Sequence, residues 1–251
     1  MKSIMPRACA LLAVALLAAC SSAPPKPTPE PVYPEPVFSA ERIVPEDSIA
    51  ITTVYDPWEP MNMRIYNFNY HFDQWVFLPV VRGWQAVVPK PARTGVHNFF
   101  ENFRDVRTMA NSILQASPTK LMQSTGRVLV NSTIGLFGLI DVATSMGMAK
   151  PDEDFGQTLG RWGVPTGPYL VLPLLGPSNL RDGAAELPDF ALQNYMQGNL
   201  LAKPVRATTF LFDSVDTRTN TSFRYYETGS AFEYQTVRWL YSTKRELDVE
   251  K

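Results

Sequence analysis

The stretch Asp56-Pro57-Trp58-Glu59-Pro60-Met61-Asn62-Met63-Arg64-Ile65-Tyr66-Asn67-Phe68-Asn69-Tyr70-His71-Phe72-Asp73-Gln74-Trp75 carries the reading that decides the fold. Met61, Ile65, Phe68, Phe72 and Trp75 recur at spacings of four and three, which places them on one face of a helix over 58–76. Asp56 is placed to cap it, and Pro57 fits the first helical position, where a missing N–H is no loss. The opposite face, with Tyr66, Asn67, Asn69 and Tyr70, is not plainly polar.

The same period continues downstream. Ala92, Val96, Phe99, Phe100 and Phe103 form a stripe, then Val106, Met109, Ala110, Ile113 and Leu114. Ser117 and Pro118 open a further helix with Leu121, Met122, Thr125, Val128 and Leu129 along one face. Val205 to Val215 and Phe232 to Leu240 read as later helices, so the fold class is mainly α. Core packing is the default reading of every stripe; lipid contact is the competing one.

Two regions break the period. In Asn131 to Ala149, Gly135, Gly138 and Gly147 interrupt apolar residues and Asp141 is the only charge; a hairpin or mobile loop is expected. Trp162 to Leu180 is charge-free, and Pro165, Pro168, Pro173 and Pro177 forbid one continuous helix. Such an irregular apolar segment either wraps a core or sits against a bilayer, with its backbone groups satisfied by protein or water.

Upstream, Lys2 and Arg7 precede an apolar run from Ala8 to Leu17, which ends in Leu17-Ala18-Ala19-Cys20. The run is about ten residues, too short for a spanning helix, and reads as an export signal. Small residues before a cysteine fit cleavage after residue 19 and lipid attachment to Cys20; an ordinary secretory signal is the alternative. Cys9 lies inside the signal, so no disulfide is available to the mature chain. Two or more acyl chains anchor stably where one does not. Pro24, Pro25, Pro27, Pro29, Pro31, Pro34 and Pro36 then exclude helix and sheet, so residues 20–50 read as a disordered tether. Residues 51–247 form the helical domain and 248–251 a tail.

Composition excludes several functions. The 23 basic and 24 acidic residues nearly balance and form no basic cluster, which argues against nucleic-acid binding. Aromatic residues are abundant, with 14 Phe, 10 Tyr and 5 Trp, yet no later stretch is long and apolar enough to span a membrane. His71 and His97 are the only neutral-pH bases, and neither has metal-ligand spacing to another His, Cys or Asp. Nucleophile-elbow, phosphate-loop and zinc-protease motifs are missing. Asp152-Glu153-Asp154 reads as a solvated acidic loop. No enzyme, metal or cofactor is expected.

The residues then converge on a family. Asp56-Pro57-Trp58-Glu59-Pro60-Met61-Asn62 with Tyr66-Asn67-Phe68-Asn69 resembles the opening signature of the MlaA (VacJ) lipoproteins. Further matches follow in order: Val88 to Arg93, Asn98 to Asn102, Asn131 to Gly135, Gly138 to Ala143, Asp154 to Gly160, and Gly167-Pro168-Tyr169 through Leu180-Arg181-Asp182. The resemblance covers about residues 55 to 245.

The resemblance implies a helical ring embedded in the inner leaflet of the outer membrane, with a central amphipathic channel. Phospholipids that have strayed into the outer leaflet pass through it, without ATP, to a soluble periplasmic carrier. Association with trimeric porins is implied as well. Ser21, where an Asp favours inner-membrane retention, points by analogy to the outer membrane. A non-transporting scaffold docked on porins or cell wall is the alternative. The channel and gating residues implied are Tyr66, Asn67, Phe68 and Asn69 on the first helix, and Gly135, Phe137, Gly138 and Asp141 in a mobile hairpin beside the pore. Asn67 and Asn69 beside Tyr66, Phe68 and Tyr70 combine amides with apolar rings, as a lipid path needs. Phe137 departs from the family, in which many members carry a third glycine at that position.

Overall fold

The computed structural model describes residues 54–200 and 203–251. The expected export signal 1–19, lipidation at Cys20 and tether 20–50 lie outside the described residues.

Helix α1, Glu59–Phe72, runs through a π-helical turn, Asp73–Phe77, into α2, Leu78–Val87. The helix is therefore longer than 58–76. The π turn falls just before Pro79, which has no N–H to offer the carbonyl four residues back. Trp58, not Asp56, is the N-cap, and Pro60 rather than Pro57 occupies the first turn. Asp56 is drawn away by an ion pair to Arg238 at 2.9 Å.

The two stripes at 91–103 and 105–115 merge into α3, Lys90–Leu114. Helix α4, Pro118–Thr133, packs along α3 in the most extensive helix–helix contact among the described residues. Ser117 stands at the N-cap of α4 without a side-chain capping bond. The glycine-rich segment is a loop that ends in a short helix α5, Val142–Ser145, capped by Asp141, which accepts from Thr144 N at 3.0 Å.

Helix α6, Phe155–Arg161, is capped by Asp154. The proline-rich stretch that follows contains a hairpin: β1, Tyr169–Leu172, pairs antiparallel with β2, Gly176–Asn179, in the register Tyr169 to Asn179 and Leu172 to Gly176. Leu174 at φ 66° lies in its turn and Gly176 at φ 86° opens β2. Helices α7, Leu180–Leu200, α8, Lys203–Asn220, and α9, Glu233–Glu250, complete the order. Helix α9 runs into the expected tail at 248–251, and Asp248 is buried.

The polarity is inverted. Most apolar side chains of the stripe on α1 and its π turn face outward: Met61, Phe68 and Trp75 are exposed, Trp75 at 73%. The buried side of α1 is Asn62, Tyr66, Asn69 and Tyr70, followed by Asp73 in the π turn. On α3 the buried residues are Phe100, Asp105, Thr108, Asn111 and Ser112 while Ile113 and Leu114 are exposed. On α4 Ser124, Arg127 and Asn131 are buried while Met122 and Leu129 are exposed. Core packing is thus the wrong reading for these exposed residues. Buried charges demand partners, and they have them.

The acidic run 152–154 also departs from expectation. Asp152 is exposed, but Glu153 is buried against Lys120, and Asp154 accepts from both terminal nitrogens of Arg245 at 2.7 and 2.9 Å. Gly156 makes room for this group: a Cβ there would lie 2.5 Å from Asp182 Oδ1 and 2.8 Å from Arg245 Nη2. Among the described residues no helix is long and apolar enough to cross a membrane.

Candidate functional site

The first constellation is a collar in which α1 grips the hairpin. Asn62 Nδ2 donates to Tyr169 O at 3.1 Å, and Asn62 Oδ1 accepts from Val171 N at 2.9 Å. One turn-pair further along α1, Asn69 Nδ2 donates to Leu172 O at 2.9 Å and Asn69 Oδ1 accepts from Leu174 N at 2.8 Å. A carboxamide has the donor–acceptor layout of a peptide group, so the two asparagines act as a missing third strand beside β1. Burial pushes the Tyr66 phenol well above its ordinary range, and the bond to Glu233 adds to this; the hydroxyl stays protonated and donates to Glu233 Oε1 at 2.6 Å. Its ring packs edge-on against Tyr225, Tyr226 and Tyr234. Asn67 accepts from the Tyr226 hydroxyl at 2.5 Å.

The second constellation is the loop. Arg127, with 0% exposure the largest fully buried side chain among the described residues, fixes its base. Its Nε donates to Asp105, at 3.3 and 3.1 Å to the two carboxylate oxygens, and its Nη2 to Asp141 at 3.3 and 3.2 Å. Its Nη1 reaches the Thr144 hydroxyl at 3.1 Å. Burial pushes the Asp105 carboxyl up to about 6 in spite of Arg127. Burial works the same way on Asp141, but bonds from the Thr144 hydroxyl and amide, from Asn131 and the charge of Arg127 hold it down at about 2.

Above that base the loop is apolar and outward-facing. Ile134, Leu136, Phe137, Leu139 and Ile140 are exposed, Phe137 at 81%. Gly135 allows the turn: a Cβ would lie 2.2 Å from Ile140 O. Gly138, at φ 89°, leaves room for Asn102. Leu136 and Phe137 adopt φ of 53° and 61° without being glycine. Phe137→Gly should therefore raise stability in urea unfolding by about 0.5–1 kcal/mol, while Phe137→Ala, which keeps the strain, should not. A loss in Phe137→Gly would mean that the ring makes a contact worth more than the strain.

The candidate residues thus fall into separate groups. Tyr66, Asn67 and Asn69 join in the collar, Gly135, Phe137, Gly138 and Asp141 in the loop, and Phe68 stands half-exposed on the outer surface beside Phe72. His71 stacks on Trp75, and His97 pairs with the buried Asp216 at 2.9 Å. Among the described residues no group of three or more His, Cys, Asp or Glu is arranged to hold a metal.

Sequence reasoning missed Asn62, Arg127 and Glu233. For Asn62 a signal was present: Asn62, Tyr66, Asn69 and Asp73 follow the helical period one residue out of phase with the apolar stripe. Arg127 and Glu233 carry no local signal, because their partners are distant in sequence.

Fold and surface together define a mainly helical protein with a largely polar interior and many apolar side chains on its exterior. The MlaA lipoprotein family model matches residues 54–248, and the chain belongs to that family. It is 37% identical over 170 residues to the intermembrane phospholipid transport system lipoprotein MlaA of Shigella flexneri, which covers 65% of each chain. To the protein of that name in Escherichia coli K12 it is 40% identical over 141 residues, 53% of this chain and 55% of the relative. The chain thus spans a little over half to about two thirds of the length of these curated relatives. A chain of a solved structure described as "Structural basis for maintenance of bacterial outer membrane lipid asymmetry" superposes with a TM-score of 0.62 at 31% identity, covering 77% of this chain and 98% of that one.

Proposed function

We propose that this protein is an outer-membrane lipoprotein of a phospholipid transport system, held by lipid on Cys20 and a tether over 20–50 and embedded from the periplasmic side. Its helical domain forms an amphipathic passage through which phospholipids strayed into the outer leaflet move down to a soluble periplasmic carrier, which maintains lipid asymmetry. Trimeric porins are its neighbours in the membrane. The observation that carries this reading is the inversion of polarity: apolar stripes facing out suit acyl chains, and a polar, ion-paired interior supports a path for charged headgroups. The kinship with intermembrane phospholipid transport lipoproteins adds to it. No step is catalytic; the passage is passive.

In this reading Asn69 holds the hairpin against α1, and the loop at 134–141 is the moving part beside the passage. Deleting Asn67 and Phe68 rotates everything after them by about 200° relative to what precedes. It takes Asn69 from Leu172 and Leu174, and Asp73 from Arg218. The expected result is a changed amount of phospholipid in the outer leaflet with the protein still made; an unchanged leaflet would refute the gating role of α1. Native mass spectrometry of protein taken gently from membranes should find bound phospholipid, whereas a scaffold that merely docks on porins would carry none.

A further inference from the structure

An open groove of about 400 Å³ lies between the first turns of α3 and the loop. Lys90, Thr94 and Asn98, one turn apart on α3, form its polar side; Leu139 and Ile140 form its apolar side. Asn98 Nδ2 donates to Leu139 O at 3.0 Å, which ties the loop wall to the helix. The floor is Gly95, where a Cβ would stand 3.6 Å from Leu139 O and 3.8 Å from Leu139 Cδ2, in ordinary contact. A methyl therefore fits there, and a larger side chain extends into the groove.

The electrostatics are one-sided. Lys90 is the only charged residue of the lining, it is exposed, and its ammonium makes no ion pair among the described residues. Leu136 and Phe137, in the same loop just before this wall, are exposed and have left-handed backbone. One cation on one side and the apolar Leu139–Ile140 wall on the other complement a molecule with a single phosphate ester joined to a hydrocarbon chain.

We propose that this groove seats the phosphodiester of one phospholipid, with Lys90 on the phosphate and an acyl chain lying along Leu139 and Ile140. The proposal rests on the phospholipid reading above and gives the loop a ligand. Free inorganic phosphate has no use for the apolar wall, so a lipid is the occupant.

The test uses the full chain in vesicles of phosphatidylethanolamine and phosphatidylglycerol. A benzophenone amino acid is placed at position 94, in the groove, or at position 75, on the outward stripe as a reference. Lipid adducts are expected at both. The adduct at 94 should fall about tenfold with Lys90→Glu and with Gly95→Leu, the loss expected when one charge-assisted contact goes. It should persist with Lys90→Arg, with Gly95→Ala and under excess inorganic phosphate, while the adduct at 75 stays constant throughout.

An adduct at 75 but none at 94, or one at 94 indifferent to Lys90→Glu and Gly95→Leu, overturns the groove proposal and leaves the transport reading standing. Displacement by inorganic phosphate overturns it in favour of a simple anion site. No adduct at either position removes the bilayer reading beneath both.

Discussion

Arg127→Met is expected to lower the stability of the folded protein by about 3–5 kcal/mol, the usual consequence of removing one member of a buried charge group. The methionine fills similar space, so the loss is electrostatic. Asp105 and Asp141 lose the cation they share, and Asp105 is 98% buried by side-chain surface, its exposure being 2%. Thermal or urea unfolding measures the effect. The variant should also respond to pH in a defined sense. Asp105 titrates near 6 in the folded protein against an ordinary value of 3.8. A raised carboxylate contributes stability that is present below the ordinary value and lost as pH rises through the folded one. Without Arg127 the folded value climbs further, so the deficit should be smaller at pH 5 than at pH 8. Asp105→Asn added to Arg127→Met should recover part of the loss at pH 8. A deficit indifferent to pH, with no recovery in the double variant, would show that Arg127 acts by packing.

Asn62→Leu comes second in size. The side chain has 0% exposure and serves Asp56, Tyr169 and Val171 together. Leucine removes the donor and acceptor but leaves the carbonyl of Tyr169 and the amide of Val171 buried without partners, at about 1–3 kcal/mol each. With the burial of leucine's apolar surface offsetting part of these two penalties, a total near 2–4 kcal/mol is expected in equilibrium unfolding, measured against Asn69→Leu. The second substitution should cost less, since Leu174 at that end of the hairpin is exposed and water can reach its amide. Equal losses at the two positions would mean that hairpin contacts other than these amides dominate.

These two residues also show what was legible in the sequence. Helical periodicity located α3, α4, α8 and α9, because a 3.6-residue repeat of apolar residues marks a helix whichever way it faces. The facing itself was illegible. Met61, Phe68 and Trp75 on α1 and its π turn, like Met122 and Leu129 on α4, have the pattern of a core stripe, and only burial shows that they look outward. The hairpin was hidden for another reason: its strands are four residues each, and β2 contains Pro177 and Gly176. Such a strand has weak intrinsic preference and depends on the amides that α1 brings to β1. In the loop, the glycines at 135 and 138 and the charge at Asp141 are visible as features, but their anchor, Arg127, is not, since its carboxylate partners come from two other segments. The residues from Asp56 to Asn69 open the family resemblance and supply the α1 side of the collar; the rest comes from the hairpin and from Tyr226, Glu233 and Tyr234.

That last arrangement governs how the molecule is assembled. Asp56 reaches Arg238, Tyr66 reaches Glu233 and Asp73 reaches Arg218, across sequence separations of 182, 167 and 145. The first of the described helices is therefore among the last to be completed. Until α9 arrives, Tyr66 lacks Glu233 and Asp56 lacks Arg238, although Asn62 and Asn69 can already hold the hairpin, and the loop that must close is nearly as long as the whole domain, which slows closure. A chain interrupted before α9 leaves Tyr66 without Glu233 and Asp56 without Arg238, so α9 acts as the clasp that turns a string of inverted helices into a single closed body.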